Sequence, residues 1–191
     1  MATRYQEKLI VNLLKLFGED PNREGLRETP SRVLKMYEEL LSGYSKDPAD
    51  VFKIFKNKQS SDLITVTNIN FYSLCEHHLI PFFGKVHIGY VPNGRILGFS
   101  KFVRLIEIFS KRLQVQETLT RQISDAIEKY LKPKGLIVEI EAEHLCMSMR
   151  GVKIKDCITK TTVQMGLLEK DTRLIDQFYR HINSANNLKQ K

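Results

Sequence analysis

Two cysteines and three histidines lie in two short stretches of this sequence, and both residue types are good zinc ligands. Cys75 and His78 form a Cys-x-x-His pair whose spacing lets both side chains hold one ion. One pair does not hold zinc tightly, and the second stretch offers Cys146 as a third ligand. Three protein ligands with an open fourth position are typical of catalytic zinc. His77 and His144 then remain beside the metal as acid/base groups, because imidazole titrates near neutral pH.

The second stretch lies in a segment whose residues alternate as in a β-strand. Residues 138–150 predict a strand in which His144, Cys146 and Arg150 share one face, because side chains two positions apart project to the same side. That face carries a metal ligand, an acid/base group and a cation in a line. Cys157 has no histidine or cysteine near it, so we interpret it as a small buried apolar residue.

Two helix starts carry cations that suit an anionic ligand. Ser100 is a candidate N-cap for a helix over residues 101–112, and Lys101 and Arg104 share a face in its first turn. A hydroxyl cap, free backbone amides and two cations together favour a polyphosphate, although a solvated basic face fits the same pattern. Thr29-Pro30 predicts the start of an earlier helix, capped by Thr29, with Arg32 in its first turn.

Periodicity predicts the elements that position these residues. The chain shows two strands, then two helices, then two strands, preceded by a helical N-terminal part, and this order predicts an α+β fold with antiparallel hairpins. We place a helical region at residues 1–60 and the main domain at residues 61–191. The predicted helices span about 4–17, ending at Gly18, then 29–41, 101–112, 115–131 and from 172, and the predicted strands span 63–71, 84–91, 138–150 and 158–167.

Composition narrows the class of protein. The 191 residues include 30 Lys and Arg against 22 Asp and Glu, a formal charge of +8 that fits either an anionic partner or a solvated basic surface. Three cysteines do not make a disulfide framework and favour a reducing compartment. The start has no apolar signal segment, and no apolar run approaches the roughly 20 residues of a bilayer span. We therefore expect a cytoplasmic protein without a membrane partner.

The motifs, in order along nearly the whole chain, resemble the GTP cyclohydrolase I family. Leu113 departs from it, standing where many members have proline. The resemblance implies the tunnelling fold (T-fold), in which antiparallel sheets of several subunits join into a barrel, and a toroidal homodecamer with sites between subunits. The motifs are Glu19-Asp20-Pro21-Asn22-Arg23-Glu24-Gly25-Leu26, Thr29-Pro30-Ser31-Arg32-Val33, Cys75-Glu76-His77-His78, Gly98-Phe99-Ser100-Lys101, Gln114-Val115-Gln116-Glu117 and His144-Leu145-Cys146-Met147-Ser148-Met149-Arg150-Gly151.

The resemblance also implies a reaction and a role for each residue. Zinc on Cys75, His78 and Cys146 would activate water to attack C8 of the guanine of GTP, releasing formate. The opened base would rearrange to 7,8-dihydroneopterin triphosphate, the first step of tetrahydrofolate and pterin biosynthesis. The resemblance implies a catalytic group of His77, His144 and Ser100 and a triphosphate-binding group of Lys101, Arg104, Arg150 and Arg32. Two further substrate-binding residues are Glu117, which would hold the guanine edge, and Gln116. From its position alone, Glu117 is equally consistent with simple complementarity to a helix dipole.

Three other interpretations compete with this one. A nitrile reductase of the queuosine pathway, or a cyclohydrolase of the second type, would share the fold but not the combination of this zinc triad with a His-x-Cys segment. A zinc-stabilised nucleic-acid-binding module predicts a fourth ligand and exposed base contacts, and the sequence displays neither. A catalytically inactive homologue predicts lost functional residues, whereas every named position is intact. We therefore expect no nucleic-acid partner.

Overall fold

The computed structural model describes residues 4–56 and 63–187, and the chain divides into two units, Met1–Ser42 and Gly43–Lys191. The boundary that the sequence predicted between residues 60 and 61 lies outside the described residues. In the first unit, helix α1 (Arg4–Leu16) contacts helix α2 (Thr29–Leu40). Gly18 follows α1 with a φ of +81°, which confirms the predicted glycine stop.

The start of α2 corrects one predicted cap. Thr29 is the first residue of the helix rather than its N-cap, and Glu28 precedes it without a capping side-chain bond. The helical hydrogen bonding begins at Glu28, whose carbonyl accepts a bond of 3.0 Å from the Arg32 N–H. Pro30 consequently occupies the second helical position, where no N–H is needed.

The second unit is built on a five-stranded sheet in the order β5-β2-β3-β6-β7. The long strands β2, β3, β6 and β7 are antiparallel, and the short β5 runs parallel to β2. A separate antiparallel pair joins β1 to β4. The predicted α+β class is confirmed, but β1, β4 and β5 were not predicted. The strands are β1 (Ile54–Lys56), β2 (Ile64–Cys75), β3 (Pro81–Val91), β4 (Arg95–Leu97), β5 (Leu113–Gln114), β6 (Gly135–His144) and β7 (Ile158–Gly166).

Helices cover both faces of β6. Leu136, Val138 and Ile140 belong to the large core cluster that also contains residues of α3 (Phe99–Ser110) and α4 (Gln116–Leu131). Ile137, on the opposite face, packs in a second cluster with residues of α6 (Thr172–Asn187). Side chains alternate between the two faces of a strand, so β6 packs against one cluster on each face. This packing holds the end of β6 in place. In the described part of the chain, no helix has the length and apolar character of a membrane span.

The strand predicted over residues 138–150 is wrong beyond His144. β6 ends there, and a short helix, α5 (Leu145–Ser148), follows, with the Met149 N–H donating to the Leu145 carbonyl at 3.0 Å. The pairing of β6 extends no further, because it ends with β3 at Phe82↔His144 and with β7 at Glu143↔Ile158. Unpaired backbone groups favour a helical turn. His144, Cys146 and Arg150 therefore do not share a strand face.

The cap predicted for the helix after residue 100 also differs. α3 begins at Phe99, and Gly98 is its N-cap. The Gly98 carbonyl accepts a bond of 2.8 Å from the Lys101 N–H, so the first turn is already closed around Ser100. Ser100 is therefore an exposed first-turn residue rather than the cap.

Candidate active site

A tight turn at the end of β2 brings the first two predicted metal ligands together. Cys75 is the last residue of β2, and its carbonyl accepts bonds from the His78 N–H at 3.3 Å and the Leu79 N–H at 2.8 Å. The Cys75 N–H in turn donates to the Ile80 carbonyl at 2.9 Å. Leu79 takes a φ of +54°, unusual for a residue with a side chain, and this closes the turn. The chain is thereby folded back so that His78 lies beside Cys75.

The two predicted stretches meet at this turn. Ligand atoms of Cys75, His78 and Cys146 all lie within 4.8 Å of one another. Cys146 reaches the cluster from α5, the helical turn that replaces the predicted strand. The Cys75 Sγ lies 3.9 Å from the His78 Nδ1. The juxtaposition expected from sequence is therefore present, although by a different local structure.

The chemistry of this donor set fits a zinc ion. Two sulfurs and one imidazole are ligands that favour zinc over harder divalent cations such as magnesium or calcium. Burial raises the pKa of the Cys146 thiol, and the nearby Cys75 raises it further, because two thiolates at this distance repel one another. A divalent cation held between the sulfurs would remove that repulsion. Together these residues could hold a metal ion.

His144 is held by two neighbours beside this cluster. Its Nε2 lies 2.8 Å from the Oε1 of Gln116, and its ring stacks on Phe82 with a centroid distance of 4.7 Å and an interplanar angle of 4°. Burial lowers the pKa of His144, and the carboxylate of Glu117 partly opposes this shift. The ring is thus fixed in plane and in direction by an amide and an aromatic face.

His77 occupies a more open position than His144. Its side chain is 61% exposed, and its Nε2 lies 3.8 Å from the Glu76 Oε1. Its Nδ1 lies 3.8 Å from the Cys75 Sγ. One histidine of the pair is therefore held against the sheet, whereas the other lies at the solvent side of the same cluster.

A cavity of about 210 Å³ joins these groups. Predicted site residues form much of its wall, including Cys75, His77, Gln116, Glu117, His144 and Cys146. A larger cavity of about 350 Å³ adjoins Tyr72, Phe83 and Lys85, and none of the predicted site residues lines it. The smaller cavity is therefore the candidate active site.

The predicted triphosphate ligands do not line this cavity. Lys101 and Arg104 lie on α3 with Ser100, and Arg150 follows α5, close enough to favour the Cys146 thiolate electrostatically. Arg32 belongs to the first unit, where its guanidinium pairs with the Glu28 carboxylate. Their role in phosphate binding remains a prediction.

Sequence reasoning missed three residues around His144. Phe82 stacks on its ring, and Thr120 and Thr161 hold Gln116 from behind. Phe82 lies directly opposite His144 in the β3–β6 register, so knowledge of the register would have revealed it. The threonines come from α4 and β7, and their spacing in sequence gives no signal of contact.

Three residues of metal-ligand type beside two histidines, on an α+β scaffold, are typical of a metalloenzyme. The model of the GTP cyclohydrolase I family matches residues 6–183 of this chain. This match covers almost the whole sequence and includes every predicted site residue. The chain belongs to the GTP cyclohydrolase I family and is an enzyme of that family.

Curated relatives agree with this assignment. GTP cyclohydrolase 1 of Streptococcus agalactiae serotype V is 51% identical over 166 residues, covering 86% of this chain and 89% of the relative. GTP cyclohydrolase 1 of Wolinella succinogenes is 44% identical over 177 residues, covering 92% and 95%. Among solved structures, archaeosine synthase QueF-Like in its apo form is similar with a TM-score of 0.46 and 14% identity, covering 56% of this chain and 97% of its own.

Proposed function

We propose that this enzyme hydrolyses GTP to formate and 7,8-dihydroneopterin triphosphate, with zinc held by Cys75, His78 and Cys146. The observation that carries the proposal is the meeting of these three ligands within 4.8 Å, beside His77 and His144, in a member of this family. A zinc ion held there supplies Lewis-acid activation for hydrolysis at neutral pH. The net reaction consumes one water and frees C8 of the guanine as formate, at the first step of tetrahydrofolate and pterin biosynthesis.

The residues around the cavity divide the work of binding and proton transfer. Glu117 is exposed on the cavity wall, where its carboxylate accepts hydrogen bonds from the N–H groups of the guanine edge. His144 and His77 exchange protons with the ring nitrogens and the ribose oxygen as bonds break. Burial of His144 supports this role, because it keeps the imidazole able to accept a proton near neutral pH.

In our proposal, residues from neighbouring copies of the chain together form the triphosphate-binding site. Ser100 belongs near the ribose, and Lys101, Arg104, Arg150 and Arg32 bind the phosphates. Exposed apolar side chains flank these cations. Phe99 (65%) and Val103 (40%) lie on α3, and Met149 (62%) and Val152 (69%) surround Arg150. Exposed large apolar side chains grouped in this way favour a protein partner. A toroidal homodecamer would cover these segments and bring their cations to a neighbour's cavity.

We also propose that the enzyme acts in the cytoplasm. Cys75, Cys146 and Cys157 are free thiols, and a reducing compartment keeps Cys75 and Cys146 available to a metal. This proposal requires two kinds of partner, GTP as the small-molecule substrate and further copies of the same chain.

Product identification tests the proposal most directly. The zinc-loaded protein incubated with GTP should release formate in equal amount to a pterin that becomes fluorescent after oxidation. ATP serves as the control, since adenine lacks the N1–H and 2-amino donors of the guanine edge that Glu117 would bind. Removal of zinc by a chelator should stop both products, and zinc should restore them. Absence of formate from metal-loaded oligomer contradicts the proposed function.

A further inference from the structure

The side-chain amide of Gln116 is buried and its orientation is fixed by the backbone. Gln116 is 1% exposed, and its Nε2 donates to the carbonyls of Ile140 at 3.0 Å and Thr159 at 3.1 Å. Backbone carbonyls only accept hydrogen bonds, so this end of the amide must be the NH₂ group. The opposite end is therefore the carbonyl Oε1, and it lies 2.8 Å from the His144 Nε2.

Two threonine hydroxyls behind Gln116 complete a directed chain of hydrogen bonds. The Thr120 hydroxyl donates to the backbone carbonyl of Gln116 at 2.8 Å, which uses its only proton. Thr161 must therefore donate to Thr120 across 2.7 Å, and its oxygen lies 3.1 Å from the Gln116 Nε2 as a third acceptor, which shares the two amide hydrogens with the carbonyls of Ile140 and Thr159. A flipped amide would direct its oxygen at two carbonyls and lose these bonds, at the cost of leaving buried polar groups unsatisfied.

This orientation determines which nitrogen of His144 carries a proton. The Gln116 Oε1 only accepts, so the His144 Nε2 must donate whether the imidazole holds one proton or two. The Phe82 ring holds the imidazole plane. For the His144 Nδ1, the described part of the chain shows no hydrogen-bond partner, and His144 lines the cavity. Nδ1 is then the ring nitrogen left for a contact with a bound molecule.

We propose that Gln116 is a positioning residue, held by Thr161 and Thr120, whose Oε1 fixes the direction of the His144 ring with its N–H at Nε2 and leaves Nδ1 for contact with the substrate. This inference rests on the proposed function and deepens it. It also assigns Gln116 a role different from the substrate binding that the resemblance implies, because its amide donors are already directed at protein atoms.

The tautomer is measurable by ¹⁵N solid-state NMR of zinc-loaded protein labelled at histidine. The His144 signals are assigned by their absence from a His144→Ala sample. The wild-type protein should show a protonated Nε2. In Gln116→Met the amide is lost, and we expect the Nε2–H signal to change, zinc content to persist, and kcat to fall about 100-fold with little change in KM.

A matched pair of threonine variants separates positioning from folding. Thr161→Val removes the hydroxyl at nearly constant shape, and it should shift the Nε2–H signal and lower kcat by a smaller factor. Thr161→Ser keeps the hydroxyl and should restore both measurements. This pair still tests the inference if Gln116→Met does not fold.

Three results would overturn the inference. A wild-type His144 protonated on Nδ1 alone contradicts the tautomer. A Gln116→Met enzyme with raised KM and unchanged kcat makes Gln116 a substrate-binding residue. Thr161→Val that matches the wild type in signal and kcat removes the threonines from the chain of hydrogen bonds. The wild-type spectrum needs no turnover, so failure of the GTP assay and failure of this inference are distinguishable.

Discussion

Replacing Phe82 with leucine tests whether the ring stacked on His144 contributes to turnover. Phe82 is fully buried, and truncation of such a ring to alanine typically costs about 3–5 kcal/mol. Leucine retains much of the volume, so we expect the free energy of unfolding to fall by about 1–2 kcal/mol. The stacked pair itself is worth about 0.5–1.5 kcal/mol beyond buried area. Loss of that stacking energy from the transition state should lower kcat about 2- to 10-fold.

Phe71→Leu is a matched control for this change. Phe71 is 3% exposed and meets Phe82 edge-on, with centroids 5.7 Å apart and an interplanar angle of 74°. Its replacement opens a similar space in the same core, while the ring on His144 remains. Both variants should lose several degrees of melting temperature. Only Phe82→Leu should lose kcat, measured as formate release per bound zinc.

Two outcomes would refute this reasoning. Each variant is assayed at the same number of degrees below its own melting temperature. An equal loss of kcat in both variants then means that loosening of the core, rather than loss of the stacked ring, lowers activity. A Phe82→Leu enzyme with wild-type kcat means that Gln116 alone holds His144 in place.

Cys146→Ala should lose zinc and turnover together in metal analysis and formate assays, because it removes one of three ligands; retained zinc would exclude Cys146 from the ligand set. His144→Ala should keep zinc and lower kcat by about 10²–10⁴-fold, the range for a lost acid/base group, whereas loss of zinc would show that it supports the metal. His87 is fully buried, and burial lowers its pKa against the opposing charges of Glu141 and Glu139. On acidification the unfolded chain therefore binds this proton at a higher pH than the folded chain does. The free energy of unfolding falls as the pH falls below about 6.5, by at most about 1.4 kcal/mol per pH unit for this one proton. His87→Gln should flatten that decline in urea titrations, and equal slopes would contradict the assignment.

Local periodicity predicted most of the secondary structure because it reports which face of an element is buried. The two central helices and the four long strands were all expected near their observed positions. The error at residues 145–150 has a specific cause: alternation of polar and apolar residues continues past His144, but the pairing with both neighbouring strands has already ended. Whether a segment has a strand partner depends on residues distant in sequence. The sequence pattern alone therefore could not predict where the strand ends.

The candidate site shows the same limit. The metal-type cluster could be predicted because Cys75 and His78 are three residues apart and Cys146 lies two residues from a histidine. The groups that hold His144 could not, since Phe82 and Thr161 reach it through strand pairing and through a buried glutamine. Ligand types leave a signal in composition, whereas supporting residues are ordinary phenylalanine and threonine.

The position of the three ligands on the sheet gives a bound ion a mechanical role. Cys75 is the last residue of β2 and His78 follows it, Cys146 follows β6, and β3 lies between these two strands. An ion joined to all three would link β2 to β6 across the end of β3 and close a long loop of chain, as a disulfide does. Unlike a disulfide, this crosslink opens on chelation without any change of redox state. Metal supply would then regulate the rigidity of this sheet edge as well as the chemistry beside it.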